Sequence, residues 1–198
     1  MKKNIFVALD FSNFEQAINV ANLVKDHAAG LKITNELFAI CGKEGIKKLS
    51  DFGLEIFLDL KLHDVPNTVK KTVSSISSLK TVNYLTIHTS GGDEMIKAAK
   101  EAAKGLELLG VTVLTSQTAS KEQVKLLADL GVRSGLNGII ASAQEYLSVR
   151  SLSKDLKIFC PGIRGFQDKK DDQKRIMSYS EFYKISKSDA KAFAVIGR

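Results

Sequence analysis

Residues 5–34 read IFVALDFSNFEQAINVANLVKDHAAGLKIT and hold a complete strand–helix–strand unit. The apolar run 5–10 is typical of a strand buried on both faces, and residues 30–34 predict a second strand. Between them Ser12 and Glu15 stand in capping-box spacing, which indicates the start of a helix. Helical periodicity is carried by the apolar residues Phe14, Ala17, Ile18, Ala21 and Val24.

The same alternation continues to the end of the chain. Further strands are predicted at 54–60, 83–88, 108–115, 138–142, 156–160 and 192–198. Further helices are predicted at 35–50, 66–79, 92–104, 120–131, 143–153 and 179–187. Strict alternation predicts a parallel sheet. Eight such strands favour an α/β fold of the (β/α)8 TIM-barrel type, a single domain over 1–198, rather than an open doubly wound sheet. The first strand is followed by no G-x-G-x-x-G fingerprint, which argues against dinucleotide binding.

Composition indicates a globular protein. Of 198 residues, 44% are hydrophobic and 26% charged, as in ordinary soluble domains. The sequence has no apolar run of membrane-spanning length, and its start turns acidic too soon for a signal peptide. Cys41 and Cys160 are far apart and lack ligand-type spacing, so we expect two reduced thiols and a cytoplasmic protein.

The net charge of +7 raises the question of a nucleic-acid partner. The lysines are scattered in pairs among acidic residues, and the sequence contains no Trp and no basic stretch interleaved with aromatic residues. The pattern therefore favours a small anionic substrate over nucleic acid.

Polar residues stand at the ends of the predicted strands, where active sites of such barrels lie. They are Asp10, Lys32, Asp59, Lys61, His88, Thr115, Ser142, the PGIR segment at 161–164, Gly197 and Arg198. Any one of them is explained by loop capping. The collection predicts a site because one end of a barrel brings all of these positions together.

Asp59 and Lys61 form the clearest pair. Side chains two apart in a strand point the same way, so both are expected to face the barrel axis, within reach of Lys32 on the neighbouring strand. Alternating charges offset one another's desolvation and favour the charged lysines. Lys61 is thus predicted to be a cation and proton donor that stabilises negative charge on carbon, rather than a Schiff-base amine.

A phosphate site is predicted after the seventh and eighth strands, where barrels often bind phosphate. This region carries Arg164, Gln173 and the Gly197–Arg198 pair. Arginine binds phosphate oxygens in a fork, and glycine lets backbone N–H groups approach them.

These motifs together resemble the orotidine 5′-phosphate decarboxylase family over nearly the whole chain. The matching segments, in order, are FVALD, LKIT, IFLDLKLHDVPNT, IHTSGG, TVLTS, CPGIR, DDQKRI and VIGR. The resemblance implies a cofactor-free and metal-free decarboxylation that forms UMP in a homodimeric barrel. It implies a catalytic network of Lys32, Asp59, Lys61 and Asp64, with Asp64 and Thr68 entering the partner subunit's site. It also implies that Asp10 binds the ribose, that Thr115 lies beside the pyrimidine, and that Arg164, Gln173, Gly197 and Arg198 hold the phosphate.

The chain departs from the family pattern in two places. The sequence ends at Arg198, so the last helix of the barrel is absent from it. The passage from the fifth strand to the fifth helix is short, and we expect residues to be missing near 115–120, with 165–172 as a second candidate.

Two alternatives remain open. One is a Mg²⁺-dependent relative of the hexulose-phosphate synthase and ketogulonate-phosphate decarboxylase type, which shares the D-x-K-x-x-D pattern. HDVPNT after Lys61 and the PGIR and DDQKRI segments favour the orotidylate enzyme instead. The other is a catalytically silent barrel that binds a phosphate ligand, against which the intact charged set argues.

Overall fold

The computed structural model describes residues 4–114, 116–142, 144–164 and 177–197. In these residues the predicted fold class is confirmed: eight parallel strands close into a barrel in the order β1-β10-β7-β6-β5-β4-β3-β2. The barrel strands are β1 (Ile5–Leu9), β2 (Gly30–Thr34), β3 (Glu55–Leu62), β4 (Tyr84–His88), β5 (Glu107–Val111), β6 (Gly138–Ile140), β7 (Lys157–Cys160) and β10 (Ala192–Ile196). The helices are α1 (Phe14–Val24), α2 (Asn35–Ser50), α3 (Pro66–Ser77), α4 (Gly92–Ala102), α5 (Lys121–Arg133), α6 (Tyr146–Arg150) and α7 (Tyr179–Ser188).

Several predicted elements end earlier than expected. β5 ends at Val111 rather than at Thr115, and β6 ends at Ile140 rather than at Ser142. The sixth helix is limited to Tyr146–Arg150. Periodicity extends an apolar run into the following loop, because loop residues that pack on a core are apolar too.

A two-stranded parallel sheet was not predicted. It pairs β8 (Ile163–Arg164) with β9 (Met177–Ser178), and the Met177 amide also donates to the Gly162 carbonyl at 3.0 Å. Each strand has two residues, too few to show alternation in the sequence. The sheet brings the chain after β7 back to the start of α7.

The predicted capping box at Ser12 and Glu15 is wrong by one residue. Asn13 is the N-cap of α1, and its side-chain oxygen accepts from the amides of Glu15 at 2.8 Å and Gln16 at 3.4 Å. Asparagine caps helices at least as well as serine, so either residue satisfies the sequence pattern. The structure instead has a capping box at the start of α7, between Ser178 and Glu181.

Aromatic rings fill the lower part of the barrel. Phe6, Phe57 and Phe159 are fully buried there, and the Phe159 ring packs 5.2 Å from that of Phe6 and 5.4 Å from that of Phe57. Gly30 makes room for them, since a Cβ at this residue would lie 2.2 Å from the Phe6 ring. We call this layer the aromatic floor. Inward-facing side chains further along the strands lie above it, toward the carboxyl ends.

The helices pack around the barrel on a continuous aliphatic layer formed by outward-facing residues such as Leu31, Ile56 and Ile87. None of the helices in the described ranges has the length and apolar character needed to cross a bilayer.

Candidate active site

Four charged side chains form a row at the carboxyl end of β1, β2 and β3. Lys32 Nζ lies 3.4 Å from Asp10 Oδ1 and 3.6 Å from Asp59 Oδ2. Lys61 Nζ lies 2.8 Å from the same Asp59 oxygen. The predicted convergence of Lys32, Asp59 and Lys61 is therefore present, and Asp10 extends the row. Carboxylate and ammonium groups alternate along it, so each charge has an opposite neighbour.

Asp59 is the most enclosed member of the row, with 8% of its surface exposed. Burial alone would raise the pKa of its carboxyl, but the charges of Lys32 and Lys61 and the hydrogen bonds from Lys61 and Thr86 outweigh it and hold the pKa below its ordinary value. The row therefore contains a buried aspartate that remains ionised. Phe57, two residues earlier on β3, lies in the aromatic floor.

Thr86 completes the surroundings of Asp59, and the sequence reasoning missed it. Its hydroxyl donates to Asp59 Oδ1 at 2.9 Å and accepts from the Lys61 backbone amide at 2.8 Å. A signal was present in the sequence, since Thr86 lies two residues before His88 in the strand NYLTIH and must face the same side.

Lys61 occupies an irregular part of β3. Its φ is 50°, a left-handed conformation that is unfavourable for any residue with a Cβ. Leu58 pairs with Leu85, whereas Leu62 pairs with Ile87, so β3 carries two more residues than β4 over this stretch. Bulges of this kind re-aim side chains and are frequent beside active sites.

Two histidines lie beside the row. The rings of His63 and His88 are 5.4 Å apart. Burial lowers the pKa of His88, and the nearby His63 and Lys61 lower it further, while Asp59 opposes them only in part. His88 is thus held neutral near pH 7 and adds no positive charge to the row.

Asp64 and Thr68 lie outside the row. Asp64 is exposed, and its Oδ1 accepts from the Val65 amide at 2.6 Å. Thr68 is exposed in the first turn of α3, and its amide donates to the Val65 carbonyl at 3.0 Å. Among the described residues Asp64 forms no ion pair with Lys61 within the chain. Asp64 is therefore not joined to the row of Lys32, Asp59 and Lys61 by an ion pair to Lys61 in this chain.

Of the residues predicted to bind phosphate and pyrimidine, only Gly197 is fully described. It follows β10, and a Cβ added there would lie 3.1 Å from Asp10 Oδ2, which places it at the same mouth as the row. Arg164 is the last residue of β8. Thr115, Gln173 and Arg198 lie outside the described residues.

Ser142, another polar residue near a strand end, has a local role. Its amide and hydroxyl donate to Glu145 Oε2 at 3.0 and 2.8 Å, and both residues are buried. It shapes the loop after β6. In the described part of the chain, no group of three or more His, Cys, Asp or Glu residues is arranged to hold a metal ion.

Comparison with known proteins gives a consistent match. The family model described as "Orotidine 5'-phosphate decarboxylase / HUMPS family" matches residues 3–198. The orotidine 5′-phosphate decarboxylase of Idiomarina loihiensis is 40% identical over 190 residues, covering 88% of this chain and 82% of the relative. The orotidine 5′-phosphate decarboxylase of Wolbachia from Culex pipiens is 40% identical over 208 residues, covering 98% of this chain and 89% of the relative.

A solved structure agrees with the sequence comparisons. The crystal structure of orotidine 5′-phosphate decarboxylase from Lactobacillus acidophilus superposes with a TM-score of 0.79 at 32% identity, covering 98% of this chain and 89% of that one. The alignment with the Wolbachia relative runs over 208 positions, more than the 198 residues of this chain. That relative therefore contains internal residues with no counterpart here.

Proposed function

The chain belongs to the orotidine 5′-phosphate decarboxylase / HUMPS family, and from this premise we propose that it converts orotidine 5′-phosphate to UMP and CO2, the last step of de novo pyrimidine synthesis. Relatives at 40% identity over most of the chain carry the name of this carboxy-lyase. The observation that carries the proposal is the contact of Lys61 Nζ with the buried Asp59 carboxylate at 2.8 Å, at the mouth of the barrel.

The proposed reaction breaks the bond between the pyrimidine ring carbon and its carboxylate. The electron pair remains on the ring carbon, and CO2 leaves. The Lys61 ammonium stabilises the resulting carbanion and then transfers a proton to it, and solvent returns a proton to the amine. A fixed cation at the place where negative charge develops lowers the barrier without reorganisation.

Asp59 and Lys32 hold that cation in place. Asp59 contacts Lys61 directly, and Lys32 Nζ approaches the same carboxylate oxygen at 3.6 Å. Asp59 also repels the substrate carboxylate in this proposal, an effect that we rank second to electrostatic preorganisation. Because Lys32 also contacts Asp10, a ribose bound at Asp10 would lie next to the reacting groups.

Substrate binding is assigned to residues around the same mouth. Asp10 binds the ribose and Thr115 lies beside the pyrimidine, while the phosphate is held by Arg164, Gln173, Gly197 and Arg198. The position of Gly197 against Asp10 supports this arrangement. Phosphate binding remote from the reacting carbon would supply binding energy for loop closure and thereby favour the transition state.

The hydrogen-bond and ion-pair partners of the two Asp59 carboxylate oxygens support cofactor independence. Oδ1 accepts from the Thr86 hydroxyl, and Oδ2 faces both Lys61 and Lys32. A Mg²⁺ ion needs carboxylate oxygens that are available for direct coordination. Lysine thus provides the positive charge that a metal provides in the Mg²⁺-dependent alternative.

A homodimer with shared sites is the proposed assembly. Asp64 and Thr68 are exposed beside Val65, which is 63% exposed. An apolar side chain between two polar ones at the start of α3 suits a subunit interface. In this arrangement Asp64 joins the charged row of the partner subunit and Thr68 contacts the substrate bound there.

We also propose a cytoplasmic location. Cys41 and Cys160 are both free thiols, and burial raises the pKa of Cys160 to about 12. Such an unreactive, reduced cysteine suits a reducing compartment.

The function is tested by following orotidine 5′-phosphate consumption spectrophotometrically, with EDTA present, in wild type and in Lys61→Ala. We expect turnover in wild type and a loss of at least about a thousandfold in the variant. Lys97→Ala is the matched control, because Lys97 forms an exposed ion pair with Asp93 on α4, away from the row. Full activity of Lys61→Ala would contradict the mechanism, and activity that EDTA abolishes would favour the Mg²⁺-dependent alternative.

A further inference from the structure

Thr86 links the two residues that the proposed reaction depends on. It is fully buried in the middle of β4, two residues after Tyr84, whose ring packs 5.1 Å from that of Phe159 in the aromatic floor. Its one hydroxyl contacts the Lys61 backbone amide and the Asp59 carboxylate. Lys61 and Asp59 contact each other through Nζ and Oδ2. Thr86 contacts the same two residues through other atoms, the Lys61 amide and Asp59 Oδ1.

The first contact stabilises an unfavourable backbone conformation. Lys61 has a φ of 50° at the point where β3 loses register with β4. Such a conformation persists only where the surroundings favour it. The Thr86 oxygen supplies the acceptor for the Lys61 amide at 2.8 Å, and a buried amide without an acceptor is unfavourable. The hydroxyl thus stabilises the bulge that directs the Lys61 side chain back toward Asp59.

The second contact fixes the carboxylate. A hydroxyl has a single proton, and the 2.9 Å bond directs that of Thr86 to Asp59 Oδ1. Oδ2 then remains for Lys61 at 2.8 Å and Lys32 at 3.6 Å. A hydrogen bond to the ionised form favours that form, so Thr86 acts on Asp59 in the same direction as the two lysines.

We propose that Thr86 is a positioning residue of the decarboxylation, whose hydroxyl holds the Lys61 backbone and the Asp59 carboxylate in the geometry that places the Lys61 ammonium at the reacting carbon. This inference rests on the proposed function. Thr86 touches no reacting atom; it acts through the two residues that do. Within the described residues, the charged or titratable groups that face Asp59 besides Lys61 are Lys32, with Asp10 beyond it, and His88 on the same strand as Thr86.

The kinetic test compares three variants. Thr86→Val keeps the shape of the side chain but removes both hydrogen bonds, and we expect kcat to fall about tenfold to a hundredfold with KM changed less than about threefold. Thr86→Ser keeps the hydroxyl, and its kcat should stay within about threefold of wild type. Thr89→Val is the matched control: Thr89 is equally buried and donates to the Val111 carbonyl at 3.0 Å, away from the row.

Two measurements on the free protein test the same role without turnover. Hydrogen exchange at the Lys61 amide should accelerate at least about tenfold in Thr86→Val and remain as in wild type in Thr89→Val. The pKa of Asp59, followed by its carboxyl carbon resonance, should rise in Thr86→Val and not in Thr89→Val. Should Thr86→Val fail to fold, Thr86→Ala replaces it with the same expectations.

The inference is overturned if Thr86→Val has wild-type kcat and wild-type exchange at Lys61, or if Thr86→Val and Thr89→Val lose activity equally. It is also overturned if Thr86→Ser is as inactive as Thr86→Val. Absence of turnover in the wild-type protein would instead contradict the proposed function, and exchange and titration would still decide whether Thr86 holds Lys61 and Asp59.

Discussion

Lys61 Nζ and Asp59 Oδ2 lie 2.8 Å apart, although a single residue separates them on β3. In a strand, side chains two apart face the same side but diverge at their ends unless something draws them together. Here opposite charges and the bulge at Lys61 do so. Both residues of the pair thus belong to one strand, but their contact depends on the register of that strand against β4. Lys32 and Thr86 come to the pair from the two neighbouring strands.

Acid should weaken the contribution of Asp59 to folding. Its pKa in the folded protein is held below the ordinary value of 3.8, so the ionised form stabilises the fold fully above that value and loses this effect as pH falls through the lower folded-state pKa. We expect the difference in free energy of unfolding between wild type and Asp59→Asn to be larger at pH 7 than at pH 3.

Urea unfolding at both pH values, at one fixed protein concentration, measures this difference. Asp93→Asn is the comparison, because Asp93 is a carboxylate of lowered pKa on the protein surface. If the difference in free energy of unfolding between wild type and Asp59→Asn is the same or larger at pH 3, the lysines do not stabilise ionised Asp59 in the fold.

Shared active sites predict complementation between two inactive variants. In a mixture of Lys61→Ala and Asp64→Asn subunits, a mixed dimer has one site with both defects and one site with neither. When equal amounts of the two subunits reassort at random, about half of the dimers are mixed, and each mixed dimer has one intact site of two. The mixture should therefore recover about a quarter of wild-type activity.

The measurement is orotidine 5′-phosphate turnover after the two variants are mixed under conditions that exchange subunits. Lys61→Ala mixed with Asp59→Asn is the control, because both residues lie in the same row and no site in the mixed dimer is intact. Recovery no greater in the first mixture than in the control would mean that Asp64 serves its own subunit.

The ion pair of Arg150 with Asp189 should stabilise the fold without affecting catalysis. Arg150 Nη2 lies 2.6 Å from Asp189 Oδ2. Its Nη1 also donates to the carbonyls of Ser153, Lys154 and Leu156 at 2.9, 3.3 and 2.7 Å. These contacts lie just before β7 and β10, at the end of the barrel opposite the row. Residues at that end of such barrels contribute to the stability of the fold rather than to catalysis.

Arg150→Met should lower the free energy of unfolding by about 2–4 kcal/mol, since it removes the largely buried ion pair with Asp189 and the hydrogen bonds to three carbonyls, including that of the buried Leu156. Arg133→Met, which removes an exposed ion pair with Asp129, should lower it by less than about 1 kcal/mol. Urea denaturation measures both. Equal losses in the two variants, or a fall in kcat of the folded Arg150→Met protein, would contradict this assignment.

Local pattern was enough to predict the barrel and part of the row. Helix α2 was predicted at its observed bounds, Asn35–Ser50, although the break at Gly42, where φ is 54°, was not predicted. Alternation along one strand predicted that Asp59 and Lys61 face the same side, but it did not predict the bulge at Lys61.

Features that depend on pairing between elements could not be deduced in the same way. The role of Thr86 requires the register of β4 against β3, and that register changes between Leu58 and Leu62. The two-stranded sheet of β8 and β9 joins segments more than ten residues apart. Neither relation leaves a periodic trace in the sequence.

In the described part of the chain, the aromatic floor closes the barrel below the charged row. Phe6, Phe57 and Phe159 are themselves fully buried there, so the side of the row that faces solvent is the carboxyl end of the strands. Substrate, product, CO2 and the proton that restores Lys61 must all pass through the mouth of the barrel. Product and CO2 must therefore leave through the mouth before the next substrate binds. Any segment that covers the mouth would control substrate entry, product release, CO2 release and proton return together.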